Sequence, residues 1–185
     1  MAGIAGILAL EEDGRGQVML LVGCAPTFRE MEKAIQFMEG APRVRVMCPD
    51  SRSLDDDDGG GDEIILWNAT MESAIDGPSD EYLEFVHEGL ARADVVVCLL
   101  DVCDLVGAGT HGIPAMPVNI IDLLHSADTV VVGNRRLLAV DCDAVAELIQ
   151  QVQDTAEVLW LGGDAPMCAA QPFTVPEVGR RMRIV

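Results

Sequence analysis

Short apolar runs alternate with stretches of helical periodicity from Gln17 to Leu161, and this alternation constrains the fold more than any single residue does. Gln17 to Val22, Arg43 to Met47, Glu63 to Trp67, Asp94 to Asp101, Thr129 to Asn134 and Ala156 to Leu161 each have the length of a strand. Most are apolar without interruption, as strands covered on both faces are. Arg43-Val44-Arg45-Val46-Met47 instead alternates, which predicts a partly exposed face. Between the runs, Thr27 to Glu39 places Phe28, Met31, Ala34, Ile35 and Met38 on one helical face. Ser79 caps a second helix, with Asp80 and Glu81 in its first turn and Tyr82, Phe85, Val86 and Leu90 facing inward. The loop Val106 to Pro117 leads to a short helix with Val118, Ile121 and Leu124 inward, and a further helix spans Asp143 to Val152. Strands alternating with helices imply a three-layer, doubly wound, mainly parallel sheet of about six strands. The loops after the strands then gather along one edge, where such folds bind ligands.

At 185 residues, half of them apolar, the chain is large enough for one domain with a genuine core. Residues 17–163 are expected to form it, with 1–16 as an N-terminal segment and 164–185 as an irregular tail. Ile4, Ile7, Leu8 and Leu10 suit either an extra edge strand or a docking segment. Residues 49–62 include Asp55-Asp56-Asp57-Asp58-Gly59-Gly60-Gly61 and predict a solvated, flexible acidic loop. That loop lacks the spacing of an EF-hand. No apolar stretch reaches the length of a bilayer span, and the N-terminus lacks a basic region of the secretory kind. A net charge of −19 opposes nucleic acid and anionic membranes, leaving proteins, including basic surfaces near the acidic loop, as expected partners. Six cysteines without C-x-x-C spacing suit reduced thiols in an intracellular, cytoplasmic or nuclear protein.

The unit from Gln17 to Gly40 follows the plan of a P-loop: strand, glycine turn, helix. Gly23 matches the first glycine of G-x-x-x-x-G-K-[ST], but Phe28 falls on the second glycine, Arg29 on the lysine and Glu30 on the hydroxyl residue. Phe28 blocks the close backbone approach a phosphate needs, and Glu30 puts a carboxylate where a hydroxyl would meet Mg²⁺. Thr27-Phe28-Arg29-Glu30 also reads as a capping box, T-x-x-E, whose side chains take helix N–H groups that a phosphate would otherwise use. A residual anion site is the other reading of the same residues.

With these positions in register the chain resembles a degenerate P-loop GTPase. Its layout is most similar to the family of the cobalamin-biosynthesis protein CobW and the urease and hydrogenase metallochaperones. Trp67-Asn68-Ala69-Thr70-Met71 stands at the family's E-x-T-G-like segment, and Leu99-Leu100-Asp101 resembles its V-V-D strand end. The run Thr129 to Leu138 resembles the strand ending in N-K-x-D-L, with Asn134 for the asparagine, Arg135 for the lysine and Leu137 for the aspartate. A looser resemblance is to the centromere protein M family of kinetochore components, which keeps a small-GTPase fold without nucleotide motifs. The resemblance implies a vestigial nucleotide site of Gly23, Thr27, Arg29, Thr70, Asp101 and Asn134, with GTP and Mg²⁺ as the ligands if any remain. Leu137 cannot accept the guanine hydrogen bonds that the family's aspartate accepts. The expected role is therefore a catalytically inactive domain serving as a structural or adaptor subunit, without cofactor, metal or catalytic residues. The alternatives are an unorthodox nucleotide binder or weak NTPase, or a small-molecule binder on a flavodoxin-like sheet. Cys98, Asp101, Cys103, Asp104 and His111 fall near one strand end and offer a zinc site as a further option, though the C-x₄-C spacing is loose.

Overall fold

The computed structural model describes residues 17–37, 43–49, 63–71, 79–108, 116, 118–133 and 141–161. The N-terminal segment, nearly all of the acidic loop, His111, Asn134 to Leu138 and the tail lie outside the described residues. Within them, six strands form one sheet: β1 (Gln17–Cys24), β2 (Arg43–Met47), β3 (Glu63–Met71), β4 (Val95–Asp101), β5 (Thr129–Gly133) and β6 (Glu157–Trp160). Five helices accompany them: α1 (Ala25–Gln36), α2 (Asp80–Arg92), α3 (Val102–Ala108), α4 (Val118–His125) and α5 (Cys142–Val152). The strand order is β2-β3-β1-β4-β5-β6, and every neighbouring pair is parallel. The fold is thus the expected α/β sandwich. The order corrects the flavodoxin-like alternative, because a flavodoxin-like sheet runs 2-1-3-4-5 and here β3, not β2, lies beside β1.

Alternation along the central strands divides the core into two layers. Met19, Leu21, Ile64, Leu66, Val97, Leu99 and Val131 pack with Phe28, Met31 and Ile35 of α1 on one side. Leu20, Val22, Trp67, Cys98, Leu100, Val130 and Val132 face α2, α3, α4 and α5 on the other. β1 is the hub, paired on one side with β3 over its full length and on the other with β4.

The N-terminal edge of the sheet is tied by a device used twice. Asp94 precedes β4 and accepts the Val18 N–H through Oδ2 at 2.8 Å, while its own N–H donates to the Val18 carbonyl at 2.8 Å. Asp128 precedes β5 and does the same with Val96, at 2.8 and 2.9 Å. Each carboxylate satisfies a backbone donor that the strand's own partner no longer reaches. The pattern Ala-Asp followed by a β-branched run, at Ala93-Asp94-Val95 and Ala127-Asp128-Thr129, is its sequence mark.

On the four-helix side, α2 closes on β3 through an aromatic pair. Trp67 stacks on Phe85 with centroids 4.9 Å apart, and its indole N–H donates to the Phe85 carbonyl at 3.0 Å. The Arg92 guanidinium lies 5.6 Å from the Trp67 ring, at cation–π distance. Ser79 caps α2 by accepting the Tyr82 N–H, as the sequence predicts. Leu90, expected inside, is instead exposed along with Leu83, and the buried helix positions are Phe85 and Gly89. The bulk of Trp67 explains this: the helix must present its glycine to the indole. In α4 the inward residues are Ile120 and Leu124, with Ile121 only half-buried. Two boundaries also move. β3 continues past Trp67 to Met71, and α5 begins at Cys142 because Asp141 caps it by accepting the Asp143 and Ala144 N–H groups.

A Cβ on Gly89 would meet Trp67 Cδ1 at 2.6 Å and Leu20 Cδ1 at 2.8 Å. Glycine to alanine in an exposed helix gains about 1 kcal/mol. Gly89→Ala is expected to lose stability instead, by about 1 to 3 kcal/mol, because an overpacked interior site forces its neighbours off their rotamers. Urea unfolding followed by tryptophan fluorescence checks the sign.

Candidate functional site

The C-terminal edge between β1 and β4 is where the chain leaves the sheet toward opposite faces: β1 leads to α1 on one side and β4 to α3 on the other. Such a divergence is the favoured ligand position of parallel α/β sheets. Gly23 stands at its centre, paired in register with Thr70 of β3 and Leu99 of β4. Its φ of 103° is in the range that favours glycine, and a Cβ there would lie 2.3 Å from the Leu99 carbonyl oxygen.

α1 begins directly at Ala25, with Cys24 as N-cap and no capping hydrogen bond from a side chain. This overturns the capping-box reading of Thr27 and Glu30. Pro26 lies in the first turn, where its fixed φ suits a helix start and its missing N–H is no loss. The helix thus opens three residues earlier than the T-x-x-E pattern requires. Thr27 is then inside, fully buried, and its hydroxyl donates to the Leu100 carbonyl at 2.9 Å. The Thr27 N–H and hydroxyl also lie against the Cys24 sulfur. Gly133 at the end of β5 makes room for this seating, since a Cβ on it would meet Thr27 Oγ1 at 2.7 Å and Glu30 Oε2 at 3.0 Å.

Of the six site residues drawn from the resemblance, Gly23, Thr27, Thr70 and Asp101 come to this edge. Thr70 and Asp101 share strand parity with Leu66 and Leu99, which places them on the α1 side of the sheet. Arg29 is exposed on α1, and Asn134 lies outside the described residues. The polar groups that do assemble are engaged within the chain. Thr70 donates through its hydroxyl to Asn68 Oδ1 at 2.7 Å and through its N–H at 3.2 Å. Asp101 Oδ1 accepts the Cys103 N–H at 2.7 Å, the geometry of a cap on α3. That short helix falls where the sequence offered no element. Its signals were Asp101 itself and the Val102–Leu105 spacing, both side chains being fully buried.

The edge is acidic, with Asp101, Asp104 and Glu30 on or beside it. Burial raises the Asp104 carboxyl above its ordinary range, and the charge of Asp101 raises it further. Burial likewise pushes the Cys24 and Cys103 thiols up, with the two aspartates adding to the effect. Both cysteines are therefore held as thiols at neutral pH, the opposite of an activated nucleophile. Cys98 does not join them: it points into the four-helix layer, where burial pushes it to about 12. This corrects the zinc grouping as far as Cys98 is concerned, and among the described residues no set of three or more His, Cys, Asp or Glu side chains is arranged to hold a metal ion. No helix among the described residues is long and apolar enough to cross a membrane.

Comparison with known protein families, characterised proteins and solved structures finds no match to this chain.

Thr27→Val keeps the volume and removes the hydroxyl, so it is expected to cost about 1 kcal/mol, the typical net value of one such hydrogen bond. Chemical denaturation of both proteins measures it. The raised carboxyl of Asp104 gives a second outcome. The folded state holds this proton to a higher pH than the unfolded chain does, so the associated stability is full below 3.8 and is lost as pH rises through the raised value. Asp104→Asn should therefore raise Tm at neutral pH, and the gain should shrink toward zero in melts taken progressively below the unfolded value of 3.8.

Proposed function

We propose that this chain is a catalytically inactive, GTPase-like domain that serves as a structural or adaptor subunit of a protein assembly. The observation that carries the reading is Thr27. In the P-loop plan the first turn after β1 holds phosphate against free donors, whereas here that turn contains Pro26 and a buried threonine bonded to Leu100. Glu30 and Asp101 add negative charge beside the place where a triphosphate would sit. A net charge of −19 further discourages anionic ligands and nucleic acid, and favours basic protein surfaces. Six cysteines without C-x-x-C spacing support an intracellular setting, cytoplasmic or nuclear.

A ligand that binds only the folded state must raise its stability. Thermal unfolding with and without millimolar GTP and Mg²⁺ is expected to give superimposable transitions, and purification of the tagged full chain at moderate salt to retain a stoichiometric protein partner. A rise of several degrees with GTP that Arg29→Ala abolishes would instead establish nucleotide binding and sink the proposal.

A further inference from the structure

We draw no further inference here: the strongest candidate, the small slot between α2 and α4 lined by Val86, Leu90, Asp122 and Leu123, carries nothing because nothing in the structure shows what covers it.

Discussion

The contact on which the ligand-side edge depends is the approach of Gly23 to the Leu99 carbonyl. β1 and β4 are paired in register as far as Gly23 and Leu99, yet the chain must leave β1 toward α1 at once. Only a residue without Cβ and with φ near 100° passes that carbonyl, and the turn then delivers Ala25 into the helix with no intervening loop. A longer turn would have left a hollow between strand end and helix start. Instead the first turn of α1 lies over β4 and β5, low enough for Thr27 to bond Leu100 and for Gly133 to be necessary beneath it.

The rest of the fold is asymmetric about this point. α1 alone among the described helices covers one face, lying across β1, β3, β4 and β5, while four helices share the other. The crowded face is fixed by shape: Trp67 against Phe85, with Gly89 letting the helix settle on the indole. The N-terminal edge is fixed by charge instead, through Asp94 and Asp128. These two carboxylates show why a negative net charge need not count against stability one residue at a time. Each accepts a backbone N–H, and bonds to charged acceptors are stronger than neutral ones.

The sequence carried the layers and strands well because that information is redundant. Val95 to Leu100 or Val130 to Val132 are β-branched or apolar at every position, and few other structures bury such a run. It carried the inner helix faces less well. Leu90 lies at the margin of the face that Tyr82, Phe85 and Val86 define, beside Leu83, and the bulk of Trp67 across the interface turns Phe85 and Gly89 inward and leaves Leu90 out. The start of α1 was misread because two local codes overlap: Thr27 and Glu30 spell a capping box, while Pro26 sets the helix start earlier. The proline code prevails because the sheet supplies a better partner for Thr27 than the helix does. α3 was missed because Asp101 ends a strand and caps a helix at once, leaving no loop residue to mark the boundary.

The overlap of codes also bears on function. Positions that the GTPase resemblance assigns to a ligand are bonded inside this chain: Thr27 to Leu100, Thr70 to Asn68, Asp101 to Cys103. An incoming triphosphate would have to repay at least the Thr27 bond, whose donor is buried without access to water and would be left unmet. It would also meet Asp101 and Asp104, two carboxylates close enough that the charge of one already raises the pKa of the other. Magnesium could in principle offset such a charge, but only if the side chains were free to turn toward it, and Asp101 is committed to holding the first turn of α3. Building a nucleotide site here by substitution therefore requires more than a second glycine and a lysine. It requires a longer connection between Gly23 and α1, so that Thr27 is released from the Leu100 carbonyl.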